Sequence, residues 1–321
     1  MIGLFNRIDP MVRLIVGAIL VATVIPVVGE VRSLAQSLAN IAIFTLFLLY
    51  GMRLSRADIW QGLGNHLLLV PLVIWIFGAM GIAGWLLWHA TAPWLPAAMA
   101  LGFLYLGVLP STVQSATIYS SIAGGNVAGS VVAAALVNIL AVFLTVPLYS
   151  LFAGSTASVF EGSTVVKVMT MLLLPFVLGQ ALQGFTSGWV SRHRPLISRT
   201  EKGVIALGVY VAFSGAVEQG IWRELDVLVW VVMISGCAAL LVFGYGGSWL
   251  LGRVLQLPRG DRITMLFTGG QKSVAMGAPL ALVVFPAATA GAIVLPLLFY
   301  HLSQLIIAAP IAGRLSRQAA A

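Results

Sequence analysis

Two polar clusters interrupt apolar runs in this chain. In TGGQKSVAMG, residues 268–277, two glycines, Gln271, Lys272 and Ser273 stand between MLF and APLALVVF. In GVLPSTVQSATIYSSIAGGN, residues 107–126, Pro110 stands beside Ser111, Thr112, Gln114 and Ser115. Hydroxyls, carboxamides and one ammonium are groups that bind ions and anions. A proline removes a backbone donor and clashes one turn back, and a glycine pair weakens a helix. Each cluster therefore predicts an unwound stretch. Its freed carbonyls suit a cation, and the half-helix N-terminus after it suits an anion.

The elements that carry these clusters lie in a membrane. The chain has 321 residues, 60% hydrophobic and 8% charged, with mean hydropathy +1.04, whereas soluble domains carry about 25% charged residues. Each span needs roughly 20 apolar residues, and helices satisfy their own backbone across lipid. The pattern predicts ten: 12–29, 34–52, 64–88, 96–123, 127–151, 165–186, 203–218, 226–252, 262–285 and 290–312. The basic N-terminal segment has no small-x-small cleavage site, so it is read as the first span. With a cytoplasmic N-terminus, Arg7, Arg13, Arg53, Arg56, Arg192, Arg194, Arg199, Lys202, Arg253, Arg259, Arg262, Arg314 and Arg317 fall inside. Only Arg32, Lys167 and Arg223 fall outside. That bias is the positive-inside rule, so the net charge of +8 belongs to loops and requires no nucleic acid. The single cysteine, Cys237, excludes a disulfide framework and a cysteine metal site. Trp85, Trp88 and Trp94 read as interfacial belt residues.

Five spans fall in residues 1–154 and five in 155–321, so the second half is expected to be inverted relative to the first. Inverted repeats typify secondary transporters, whose sites form where discontinuous helices of the two halves meet. Setting Gln114 opposite Gln271 pairs Pro110, Ser111, Thr112 and Ser115 with Phe267, Thr268, Gly269 and Lys272. Either cluster alone has a plain explanation, because proline and glycine are common in membrane helices and hydroxyls bond back to their own backbone. Two clusters at matching positions favour a site.

The stretches LPSTVQSATIYSSIAGGNVAGSVVAAALVNILAVFLTVPL, TGGQKSVAMGAPLALVVFP and LPLLFYHLSQLIIAAP resemble the bile acid:sodium symporter superfamily, in particular its divergent bile-acid-symporter-like branch. The resemblance implies an all-α membrane protein with a panel domain of spans 1, 2, 6 and 7 and a core domain of spans 3–5 and 8–10. Spans 4 and 9 are implied to be broken and to cross in the core, with an organic anion carried between the domains. Sodium is the one ion it implies; no cofactor and no other metal is expected. Carried over residue by residue, the ion and crossover site falls on Gln114, Ser115, Ser130, Gln271 and Lys272. Substrate contacts are expected at Thr112, Thr268, Lys272 and His301, of which His301 has the family counterpart, and His66 stands where a coupling glutamine is expected. Several family ligands are replaced. Ala134 stands for a threonine, Phe267 for the glutamate that bridges both sodium ions, and Lys272 for an asparagine. In the ten-span topology no acidic residue falls at midplane depth, which counts against sodium coupling and against a carboxylate proton relay.

Lys272 lies ten residues from Arg262, or ~15 Å along a helix, about half of the ~30 Å hydrocarbon core. A charge there is costly and faces a cavity or a partner. Three readings stay open. The ammonium replaces a sodium ion and bonds Gln114, Ser115 and unwound carbonyls, it pairs with an anionic substrate, or it carries a proton. The function expected is secondary active transport of an organic anion, bile-acid-like or a smaller carboxylate or sulfate, by alternating access. The family-typical form is sodium symport, here with a degraded sodium site. The alternatives are a sodium-independent or proton-linked carrier and, from another class, a non-transporting membrane regulator. An enzyme is not expected: HExxH, GxSxG, paired aspartates and a phosphate loop are all missing. The expected location is a bacterial inner membrane, with both termini cytoplasmic.

Overall fold

A computed structural model describes residues 10–53, 64–154 and 166–320. Among these every regular element is a helix. The helices are α1 (Pro10–Val24), α2 (Gly29–Arg53), α3 (His66–Thr91), α4 (Ala97–Val108), α5 (Gln114–Ile122), α6 (Val127–Ala153), α7 (Val166–Arg192) and α8 (Arg194–Glu218). They continue with α9 (Val227–Val254), α10 (Arg259–Gly270), α11 (Val274–Val284) and α12 (Ala287–Ala320), and a single turn, Ile221–Glu224, precedes α9. Seven are long and apolar enough to cross a membrane: α2, α3, α6, α7, α8, α9 and the Ala288–Gln318 part of α12. The protein is an integral, multi-pass membrane protein.

Contacts divide the chain into two compact units. One gathers α1, α2, α7, α8 and residues Ala278–Val294; the other gathers α3 to α6, α9, α10 and the chain from Leu295 onward. In the first unit α2 and α7 approach at glycine. A Cβ on Gly51 would stand 2.2 Å from the Phe176 carbonyl oxygen, and one on Gly179 would stand 2.2 Å from that of Leu48. The Gln180 carboxamide donates to the Gly51 carbonyl at 2.6 Å. In the second unit α3 and α4 approach the same way, with Gly84 against Phe103 and Gly107 against Met80. Small residues of this kind let backbones close where lipid supplies no hydrophobic drive.

Some expected boundaries move. α2 begins at Gly29, so Arg32 lies in a helix rather than a loop and pairs with Glu218; Gly29 makes the turn at φ +60°, a conformation glycine adopts freely. α8 begins at Arg194 and not near 203, with Pro195 in its first turn, where a missing donor costs nothing. It therefore includes Glu201, which accepts from the Tyr50 hydroxyl at 3.1 Å and lies 3.6 Å from the Arg53 guanidinium. The spans over 96–123 and 262–285, each expected to hold an unwound stretch, are interrupted at 109–113 and at 271–273.

Candidate functional site

The first interruption follows from Pro110. The residue before a proline is pushed out of the α region, and Leu109 is extended, φ −75° and ψ 152°. The second follows the glycine pair, where Gln271 is extended, φ −100° and ψ 149°. These glycines do more than weaken a helix. A Cβ on Gly269 would stand 3.0 Å from the Trp75 ring, and one on Gly270 would stand 2.9 Å from the Tyr245 ring. Trp75 belongs to a π-helical segment of α3, Ile74–Ala79, and stacks on Phe243 in the π-helical segment of α9, Phe243–Gly247. Such segments re-aim side chains within a helix. Here they bring two large rings against the end of α10.

The two interruptions meet. The Ser273 backbone N–H donates to the Pro110 carbonyl at 2.9 Å, and the Gln271 side-chain oxygen accepts from Thr112 and from Ser115, both at 2.6 Å. The unwound carbonyls were expected to suit a cation, in one open reading the Lys272 ammonium; every carbonyl from 107 to 111 has a donor within the protein, Lys272 among them. Gly107 and Leu109 accept from the Lys272 ammonium at 2.6 and 2.7 Å. Val108 accepts from Thr145 at 3.2 Å, and Ser111 from the Asn138 carboxamide at 2.9 Å. Pro110 has Ser273. The reason is general: a buried carbonyl without a partner costs as much as a lost hydrogen bond.

The second break is closed by α12. Gln304 accepts from the Lys272 backbone N–H at 2.8 Å and donates to the Lys272 carbonyl at 3.0 Å. Its carboxamide nitrogen also lies 2.8 Å from His301 Nδ1. Tyr300 donates to the Gly270 carbonyl at 2.6 Å.

Lys272 is fully buried. Besides Gly107 and Leu109, its ammonium donates to Ile76, in the π segment of α3, at 3.2 Å. Three acceptors use three hydrogens, the number on the charged amine. Gly107 and Leu109 lie at the C-terminal end of α4, where helix dipoles favour a cation. Among the described residues no carboxylate pairs with it.

The predicted site residues are thus only partly assembled. Thr112, Ser115, Gln271, Lys272 and His301 come together. Thr268 is buried on the last turn of α10, its hydroxyl without a hydrogen-bond partner among the described residues. Ser130 is buried on α6, 3.4 Å from the Thr117 hydroxyl. Gln114 opens α5 with an exposed side chain; the hydroxyls of Thr112 and Ser115, not its carboxamide, face Gln271. His66 opens α3 and is exposed. The ammonium bonds three carbonyls and neither Gln114 nor Ser115. Asn138, Thr145 and Gln304 were not predicted as site residues. Asn138 and Gln304 are carboxamides inside apolar runs, a signal that was available in the sequence.

Comparison with known proteins identifies the family. The profile of the SBF-like CPA transporter family matches residues 9–317. An uncharacterized protein of Pseudomonas aeruginosa is 35% identical over 313 residues, 95% of this chain and 92% of the relative. "Putative symporter YfeH" of Escherichia coli is 36% identical over 324 residues, 98% of this chain and 95% of the relative. Sodium/bile acid cotransporter 7 of Rattus norvegicus is 24% identical over 291 residues, 84% of this chain and 81% of the relative. A membrane-embedded helical chain matched end to end in this way is a transporter and not an enzyme, and it belongs to the SBF-like CPA transporter family within the bile acid:sodium symporter superfamily.

Proposed function

We propose that the chain is a secondary active transporter that moves an organic anion by alternating access. The observation that carries this reading is the meeting of two interrupted helices through Ser273, Pro110, Gln271, Thr112 and Ser115. Interrupted helices that meet are the usual place for substrate and coupling sites in secondary transporters. Counting α4 with α5, and α10 with α11, as one span each makes ten spans in two inverted sets of five. On this topology both termini are cytoplasmic, in a bacterial inner membrane. The two contact units, one gathering α1, α2, α7 and α8 and the other holding both interruptions, support a panel and a core, although residues Ala278–Val294 fall in the first unit. The substrate class rests on the positive charge of Lys272 and on the N-terminal ends of α5 and α11, both favourable to an anion. Its direct contacts are assigned to Thr112, Ser115, Thr268 and His301. Lys272 acts at a distance, since all three of its hydrogens are engaged.

The test is uptake by proteoliposomes of two labelled anions of different size, taurocholate and benzoate, for wild type, Gln271→Leu and empty liposomes. Protein-dependent uptake of one anion, lost in Gln271→Leu, is expected. Uptake of both anions equal to that of empty liposomes would refute the substrate class. Uptake that Gln271→Leu leaves unchanged would refute the site.

A further inference from the structure

The side chain of Lys272 leaves the second interruption and ends at the first. There its ammonium is ringed by three backbone oxygens from three places in the chain: Ile76 at 3.2 Å, Gly107 at 2.6 Å and Leu109 at 2.7 Å. Backbone carbonyls converging on one point, without a carboxylate, are how proteins replace the hydration shell of a monovalent cation. Two of the three lie at the C-terminal, negative end of α4. The oxygens are held by the fold and not by the lysine alone. Ile76 is fixed in the π segment by the packing of Trp75 on Phe243. Gly107 is fixed where α4 meets α3 at Gly84. Leu109 is fixed by Pro110, whose carbonyl is tied to Ser273. The backbone from which the lysine departs is clamped on both sides by Gln304.

We propose that Lys272 is a tethered cation: its ammonium permanently occupies a carbonyl cage that accepts a free monovalent cation, potassium ahead of sodium, once the side chain is cut back. The preference follows from size, because ammonium is close to potassium and larger than sodium. This inference rests on the crossover being the transport site. Its consequence there is that the charge a carrier would otherwise collect from solution on each cycle is built into the chain. Flux through this protein then needs no free cation at the cage. The lysine decides ion specificity by excluding ions.

The experiment compares thermal unfolding of purified wild type, Lys272→Ala and Lys272→Met in sodium, potassium and choline chloride. It uses no organic substrate, so its outcome is separate from that of the uptake test. A ligand bound only by the folded state raises apparent stability by mass action. Wild type is expected to melt at the same temperature in all three salts. Lys272→Ala is expected to melt lower in choline and to recover by roughly 5 °C or more in potassium, with a smaller recovery in sodium. Lys272→Met fills the channel of the lysine stem without its charge, and is expected to melt below wild type and to ignore the salt. Stabilisation of wild type by sodium or potassium would overturn the proposal, since the ion would then bind where the lysine already is or elsewhere. A folded Lys272→Ala that ignores all three cations would overturn it too. So would a Lys272→Met as stable as wild type, because the ammonium would then contribute nothing to the cage. A larger response to sodium than to potassium would overturn the size argument. If Lys272→Ala is recovered folded only from cells and buffers rich in potassium, the proposal stands; recovery from sodium alone would overturn the stated preference. If it folds in none of the salts, Lys272→Met decides.

Discussion

Gln304 is the most exacting point at which to test this account of the second interruption. Breaking the helix at 271–273 strands the N–H and the C=O of Lys272 in a fully buried position, and one carboxamide answers both, at 2.8 and 3.0 Å. Gln304→Leu keeps the approximate volume and removes both partners. A buried backbone group left without a partner costs about 1–3 kcal/mol, so the two together cost roughly 2–6 kcal/mol before relaxation. The leucine returns about 1–2 kcal/mol by burying apolar surface, which leaves a net loss of roughly 1–4 kcal/mol. For a chain of this size that is a fall in melting temperature on the order of 2–15 °C. The assay is intrinsic tryptophan fluorescence on heating in detergent; the chain has nine tryptophans. Gln304→Glu is the informative companion, because as a carboxylate it can still accept from the Lys272 N–H but sets an acceptor against the Lys272 carbonyl in a buried site. It should also melt below wild type. If Gln304→Leu melted within 2 °C of wild type, the stranded groups would have found other partners, and the reasoning that links Gln304 to the break would be refuted.

Further expectations concern other contacts. Asn138→Leu removes the donor to the Ser111 carbonyl and should lower stability by about 1–3 kcal/mol, read by the same melt; no change would mean that Ser111 relaxes toward another donor. Asp261 accepts from Asn65 at 3.0 Å and from Asn126 at 2.7 Å. Asp261→Asn forces an amide donor against these donors and should cost about 1–3 kcal/mol, whereas an unchanged melting temperature would show the pair to be incidental. Gly51→Val places a branched side chain where even a Cβ stands 2.2 Å from the Phe176 carbonyl. It should abolish the folded state or lower its stability by roughly 1–3 kcal/mol or more, measured by recovery and melt after purification. Glu218→Gln breaks the partly exposed pair with Arg32 and should change stability by no more than about 1 kcal/mol; a larger loss would mean that the pair is shielded from solvent screening.

Much of this protein is legible in one dimension because the signals are local. Hydropathy over some twenty residues reports a span, Pro110 reports an extended Leu109, and a glycine pair beside Gln271 reports a second break. The family was legible for the same reason, through contiguous stretches around both interruptions. Boundaries set by weaker signals were less so. Arg199, Glu201 and Lys202 look like a loop, yet they continue α8 because Tyr50 and Arg53 on another helix receive the carboxylate. Gln114 is the counterpart of Gln271 by alignment and was expected in the crossover site, but its side chain is exposed, and Thr112 and Ser115 bond Gln271.

What the sequence by itself determined is membrane residence, helical content and the two places where helices must fail, since hydropathy, proline and glycine act on their own neighbours. Only the tertiary structure decided who satisfies the groups that those failures expose. The donors and acceptors come from far along the chain: Ile76 is 196 residues from Lys272, Leu109 is 163 and Gln304 is 32. A buried polar group accepts whatever well-placed partner packing delivers. That choice is made by the approach of α3, α4, α6 and α12 around the breaks, and no local pattern encodes it.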